Sequence, residues 1–398
     1  MKCDTVKLGE YLYIKGRIGW KGLKKSEYLN NGAYRIINGE TLTNDGINWD
    51  KAGYITQQRY DESPEIMLQE DDILISKDGT IGKIGYVKEL DMPTTVASGI
   101  FVIRNERPEL IDTGFIFHFL RSPYFKAFIE MRTEGSVIPH LYQKDFVDLD
   151  FPLYPLEVQK KIASILNLLD EKIALNKEIN KNLEQQAQML FDNFYDSLSG
   201  QSCILLSEMI DIRDGTHDSP KATEHGYPLV TSKHLLPFGV DTLSANIISK
   251  ADYDKVNERS KVNTGDILIS MIGTVGLISY VIDSPVEFAI KNVGLFKTSQ
   301  HPSLDLYILY YLKSKSTTQH IEKCLAGSTQ KYISLGELRK LPIVVPSPDE
   351  LAAYNLVVRP IVSEIALLVQ ENRRLSNLRD TLLPKLMSGE LDVSDLDL

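Results

Sequence analysis

Residues 72–87 read DILISKDGTIGKIGYV, and residues 266–281 read DILISMIGTVGLISYV. The second phrase lies 194 residues after the first (266 − 72) and repeats eleven residues in register. Alone, the first phrase looks like a glycine-rich phosphate loop, with Gly79, Gly82 and Lys83 close together. It lacks the GxxxxGK[ST] spacing, since Lys77 stands five residues before Gly82 and Ile84 follows Lys83. In the copy Lys83 becomes Leu277, while the glycines return at 273 and 276. A phosphate loop would not survive that exchange. The phrase therefore reads as strand, glycine turn and return strand, with a variable tip: Lys77-Asp78 against Met271-Ile272.

The repeat extends outward. VKLGEYL from Val6 resembles ILLSEMI from Ile204, and GAYRIIN from Gly32 resembles GYPLVTS from Gly226. GSVIPHLYQKDFVDLDF from Gly135 resembles GSTQKYISLGELRKLPI from Gly327. Each copy then reaches a proline-marked junction, PLYPLE at 152–157 and VPSPDE at 345–350, followed by a long amphipathic segment. Solenoid repeats have periods of about 20–50 residues, so this one means two duplicated domains, each with its own core. Short β runs (ILIS, IGYV, GIFVIR, GLISYV) and a late helical stretch in each copy make the fold class α+β. The expected plan is a globular domain at 1–152, a long helix at 153–198, a second domain at 199–346, a second helix at 347–390 and an acidic tail at 391–398.

In the first long segment a four-three spacing links Ile162, Leu166, Leu169, Ile173, Asn176, Leu183 and Leu190. In the second it links Ile361, Ile365, Leu368, Asn372, Leu375 and Leu382. Asparagines inside such a seam cost stability but fix register. Pro360 is placed in the first turn of the second helix, where it breaks no hydrogen bond. Helix one leaves domain one for domain two, and helix two leaves domain two. Packed together as an antiparallel coiled coil, they make the chain pseudo-two-fold, with a spacer of about 60 Å for 40 residues.

Composition narrows the function. The chain has 398 residues, 43% hydrophobic and 25% charged, with a net charge of −10 that argues against indiscriminate nucleic-acid binding but permits local basic faces. Three isolated cysteines and no apolar leader fit a cytoplasmic protein. No apolar run reads as a bilayer span, so no membrane partner is expected. Histidine and cysteine spacings match no metal site, and no adenine methyltransferase motif, GxSxG elbow or nuclease carboxylate spacing occurs. Catalysis by this chain is not expected, and no metal or cofactor is assigned to it.

Binding is the expected role. KGRIGWKGLKK holds Arg17, Trp20, Lys21 and Lys24, and RDGTHDSPK holds Arg213, His217, Ser219 and Lys221. Ser232 and Lys233, and then Ser328, Gln330 and Lys331, add polar groups to the second domain. Ser136 and His140 stand at the matching place in the first. Lys77, Asp78, Thr80 and Thr274 mark the hairpin tips. Such side chains contact phosphates or read base edges. A coiled-coil adaptor whose duplicated domains bind protein is the alternative.

The DILIS…GT.G hairpin, the GS…L…DL stretch leading to P..P.E, and the closing NLRDTLLPKLMSGEL (377–391) resemble the specificity subunit of type I restriction–modification enzymes over the whole chain. The second helix departs after SPDE, where LAAYN replaces the family's glutamine and basic residues. The resemblance implies two target-recognition domains, each reading half of a bipartite double-stranded DNA site, with the helices setting the spacing. It also implies two modification (methyltransferase) subunits and motor-nuclease restriction subunits as partners. S-adenosylmethionine, ATP and Mg are then expected on those partners, not on this chain.

Overall fold

The computed structural model describes residues 3–18, 22–43, 46–133, 140–327 and 329–396. Contacts divide the chain into two compact units, Met1–Ile173 with Arg374–Leu398, and Ala174–Arg373. The units thus cut across the linear plan. Each long helix gives one part to each unit, because its partner runs the other way.

Both units contain the same three sheets. The central one is four-stranded and antiparallel. In the first unit its order is Leu12–Gly16, Ile100–Asn105, Ile73–Ser76, Ile84–Tyr86. In the second it is Ile212–Asp214, Val293–Phe296, Ile267–Ser270, Ile278–Tyr280. A three-stranded sheet, mixed in direction, flanks it: Gly53–Ile55, Tyr34–Ile37, Thr94–Val96 in one unit and Asn246–Ile248, Ala222–Val230, Ala289–Ile290 in the other. A two-stranded ladder closes each domain, Asp4–Lys7 with Asp150–Leu153 and Cys203–Leu205 with Pro342–Val344. The first unit adds a small hairpin, Leu42–Thr43 with Gly46–Ile47.

The apolar run ILI follows from this placement. Successive side chains on a strand face opposite sides. Ile73 and Ile75 enter one core with Phe115, Phe119, Leu166 and Leu386, while Leu74 enters another with Ile37 and Val96. In the second unit Ile267 and Ile269 join Phe191, Tyr307 and Ile365, and Leu268 joins Val230 and Val281. A strand covered on both faces needs apolar residues at every position. The late helical stretch of each copy is a helix pair, Thr113–Arg121 with Pro123–Thr133 and Asp305–Lys313 with Lys315–Lys323. The Asp112 carboxylate caps the first, accepting from Phe115 N–H at 2.8 Å.

The long helices run Leu156–Ser197 (42 residues) and Pro348–Met387 (40 residues). Within the first unit, Ile162 and Leu166 share a core with Leu382, Leu383, Leu386 and Met387. Within the second, Leu183, Ala187, Leu190 and Phe191 share one with Tyr354, Val358, Ile361 and Ile365. The pairing is therefore antiparallel in both. Ile162, Leu166, Ile173, Asn176, Ile365 and Leu368 are buried, while Leu169, Leu183, Leu190, Ile361, Asn372, Leu375 and Leu382 are half-buried. Asn176 Nδ2 donates to Asn372 Oδ1 at 2.9 Å and Glu371 Oε2 at 2.7 Å, so polar groups meet across the seam.

Two helix expectations change. The second helix begins at Pro348, so Pro360 lies in its interior, where the ring removes one N–H from the ladder. The buried stripe accordingly starts upstream of Ile361, at Leu351, Tyr354 and Val358. By length and composition this helix is also apolar enough to cross a membrane, contrary to the reading that no run is. Within its LAAYNLVV start Leu351, Tyr354 and Val358 fill the core of the second unit, while Leu356 and Val357 are exposed.

Candidate nucleic-acid interface

The repeated phrase builds the same hairpin twice, and its shared aspartate, serine and glycines do the same work in both copies. Asp72 Oδ2 accepts from Gln69 N–H, and Asp266 Oδ2 from Asn263 N–H, both at 2.7 Å, closing the turn before the strand. The same buried carboxylates meet a cation from the neighbouring strand or the residue just past its end: Arg104 Nε at 2.7 Å from Asp72, and Lys297 Nζ at 2.5 Å from Asp266. The serine staples the turn. Ser76 Oγ donates to Thr80 O (2.7 Å) and accepts from Lys83 N–H (2.9 Å), and Ser270 Oγ does so with Thr274 O (2.6 Å) and Leu277 N–H (2.8 Å). Gly79, Gly82, Gly273 and Gly276 have φ of 67°, 85°, 80° and 91°. Glycine enters this left-handed region without the steric cost other residues meet.

The GS segment docks on the hairpin tip in both units. Leu141 N–H donates to Lys77 O at 3.1 Å, and Ile333 N–H to Met271 O at 3.0 Å. Asp78 bridges to His140, and Ile272 to Tyr332. This brings Lys77, Asp78, Thr80 and His140 together in the first unit. His140 Nδ1 is paired with the Asp78 carboxylate. Lys77 is half-buried with Nζ 4.7 Å from the centre of the Phe101 ring; burial draws its ammonium below the ordinary lysine value, against the opposing pull of Asp78. In the second unit the segment joins exposed Thr274, Gln330 and Lys331 at the tip. Met271, however, is buried in the core of its unit, so the variable tip is in part a packing difference.

A second cluster forms where the loop after Ile212–Asp214 meets the helix Lys250–Ser260. His217 is mostly exposed, yet Nε2 lies 3.0 Å from Asp214 Oδ2 and Nδ1 2.8 Å from Asn292 Oδ1. The buried Asp214 carboxylate also pairs with Arg259. Lys291 Nζ donates to Ser219 Oγ at 2.5 Å. A cavity of about 420 Å³ opens here, lined by His217, Asp218, Ser219, Asp252, Lys255 and Arg259 among others. It offers donors and acceptors together, as a base edge or a sugar–phosphate unit requires.

The remaining candidates fall elsewhere. Arg17 is buried: Nε donates to Val96 O at 3.1 Å and Nη1 to Ser63 Oγ at 3.3 Å. It holds the first domain together and does not present its charge at the surface. Arg213 is half-buried, engaged by the Asp211 carboxylate and by Arg259 O. Lys24 and Lys221 are exposed. Ser232 and exposed Lys233 stand on a separate short turn, and no side-chain bond joins them to either cluster among the described residues. Trp20, Lys21, Ser136 and Ser328 lie outside the described residues.

Sequence reading missed Lys291, Asn292, Arg259 and Tyr332. For Asn292 a signal existed. Its ladder position matches Gly99, and asparagine is among the few residues that tolerate its φ of 55°. For Tyr332 there was one too, since GSVIPH from Gly135 and GSTQKY from Gly327 align it with His140. Lys291 and Arg259 carried none, because only the fold brings them to the loop.

The sequence profile of the type I restriction modification DNA specificity domain matches this chain twice, over residues 2–185 and 206–351. The chain is 26% identical to the type I restriction enzyme MjaVIII specificity subunit of Methanocaldococcus jannaschii, covering 99% of this chain and 94% of that one. It is 22% identical to the EcoKI specificity subunit of Escherichia coli, over 95% and 86%. The crystal structure of the type I restriction–modification S subunit from M. genitalium has the same fold, at a TM-score of 0.57 and 16% identity, covering 99% of this chain and 97% of the other.

Proposed function

The chain belongs to the type I restriction modification DNA specificity family, and we propose that each of its two units reads one half of a bipartite double-stranded DNA site. The chain is the recognition part of such a complex and not its catalyst. One observation carries the reading: the two units share strand order and hairpin frame but differ in the side chains at the tip and in the adjoining loop. A common frame with exchanged surface groups suits two reading heads for two short sequences.

The paired helices act as the spacer between the half-sites. Two modification subunits dock on the chain, and a restriction subunit joins them, in the cytoplasm. Those partners carry S-adenosylmethionine, ATP and Mg and perform methylation, translocation and cleavage. Within each unit, Lys77, Asp78 and His140, or His217, Ser219, Gln330 and Lys331, contact bases and backbone.

The test is a domain exchange in the assembled complex. Residues 1–152 are replaced by the equivalent segment of a relative, and methylated sites are mapped in cellular DNA. One half of the methylated motif should change while the other half and the gap stay. A change in both halves would contradict the modular reading.

A further inference from the structure

The bridge between hairpin tip and GS segment pairs one residue with one ring in each unit. Asp78 faces His140 in the first, and Ile272 faces Tyr332 in the second. The backbone under both rings is fixed in the same way. Leu141 and Ile333, the next residues, donate to the carbonyls of Lys77 and Met271 at 3.1 and 3.0 Å. Tyr332 is further clamped by two bonds of 2.9 Å with Ala326, one in each direction. Both rings reach solvent, His140 with 29% of its side chain exposed and Tyr332 with 44% of the residue.

The chemistry of the two positions changes together. A carboxylate stands beside the imidazole and takes its Nδ1, while Nε2 has no partner among the described residues. An isoleucine stands beside the phenol, and the phenol ring lies against the backbone at Gly327, where an added Cβ would sit 3.3 Å from Tyr332 Cδ1 and 2.2 Å from Gln330 O. A ring needed only to cover the hairpin has no reason to keep about a third to under a half of its surface in water. Nor does cover alone require a charged partner in one unit and an apolar one in the other. Rigid, partly exposed rings give contact area at small entropic cost.

We propose that residues 78 with 140, and 272 with 332, form one two-residue reading element, used once per unit, in which the ring touches a base of that unit's half-site and the tip residue sets its chemistry. The inference rests on the DNA-reading function above. His140, held by Asp78, makes a hydrogen bond to a base edge through Nε2. Tyr332, beside Ile272, makes a face contact suited to a base ring or a thymine methyl.

The experiment uses the full chain assembled with its modification subunits and a pool of duplexes carrying randomised sequence, selected by binding and read by sequencing. Wild type should enrich one bipartite motif. Asp78→Ile with His140→Tyr should alter preference by about tenfold or more at one or two positions of one half only, the scale of a lost base contact. Tyr332→His should do the same in the other half, while Tyr332→Phe keeps the wild-type motif. Thermal unfolding of each variant confirms folding, and His140→Tyr alone serves if the double variant is unstable. Variants that enrich the wild-type motif unchanged, or lose affinity equally for all sequences, overturn the reading element but leave the bipartite function standing. Enrichment of no bipartite motif by wild type overturns the function itself and this inference with it.

Discussion

Lys297→Met is the sharpest test of why the phrase DILIS recurs. Asp266 and Lys297 are both sealed from water, with Nζ and Oδ2 2.5 Å apart and side chains 0% and 4% exposed. Asp266 also accepts from Asn263 N–H at 2.7 Å and Ser299 N–H at 3.1 Å, and Lys297 donates to Lys261 O at 3.0 Å. Methionine keeps the volume but strands the carboxylate, and breaking one partner of a buried pair costs about 3–5 kcal/mol. For a unit of this size, that lowers the unfolding temperature by on the order of 10 °C. Arg104→Met, the matching change in the first unit, should cost less, about 2 kcal/mol, because the 26% exposed guanidinium leaves a route for water to the carboxylate. Adding Asp266→Asn to Lys297→Met should recover more than half the loss, since the amide oxygen still accepts from a backbone N–H and no charge is left buried. Hydrogen exchange of the full chain in a urea series, followed by mass spectrometry, resolves peptides 263–300 from 69–104. If Lys297→Met costs under about 1 kcal/mol, or loosens both regions alike, the pair does not hold the strand and the argument fails.

The first unit should be acid-sensitive through His118. It is buried with Nε2 2.9 Å from Asn167 Oδ1, and burial holds its pKa at about 4 against an ordinary 6.5, with Asn167 pulling up and Arg121 down. Between those values the unfolded chain takes up a proton that the folded unit refuses. Stability is therefore intact above pH 6.5 and falls as pH drops toward 4, by up to about 3 kcal/mol. His118→Gln should flatten that limb of the urea-unfolding profile, and an unchanged limb would assign it to another group. One heptad added to each long helix keeps the seam in phase and lengthens each by about 10 Å, so the gap in the methylated motif should grow by roughly three base pairs. A constant gap would mean the helices do not set it.

What the sequence showed depended on whether a residue's task was local. The hairpin was legible because strand, turn and left-handed glycines are adjacent in the chain, and the second copy removed Lys83 from consideration as a phosphate ligand. The four-three spacing picked out buried seam residues such as Ile173 and Ile365 but not Leu351, Tyr354 or Phe191. Leu351 and Tyr354 lie upstream of Ile361, where the spacing begins, and Phe191 lies one residue off it, although Tyr354 meets Phe191 and Phe194 across the helices. Arg17 was misplaced for a similar reason. In a loop of lysines and glycines it looks like a surface cation, yet the acceptors that bury it, Val96 O and Ser63 Oγ, lie dozens of residues on. The tip shows how far comparison of the copies can reach. Lys77-Asp78 against Met271-Ile272 marked four residues at a tip that differs between the copies, with Lys77 and Asp78 the candidate contacts. Two of them turn inward, Met271 fully and Lys77 in part, because their strand positions face the core. The other two, Asp78 and Ile272, face a ring supplied about sixty residues later. At these two positions the neighbour across the fold differs along with the tip residue, histidine in one unit and tyrosine in the other, which is why the proposed reading element is placed there and not at Lys77 or Met271.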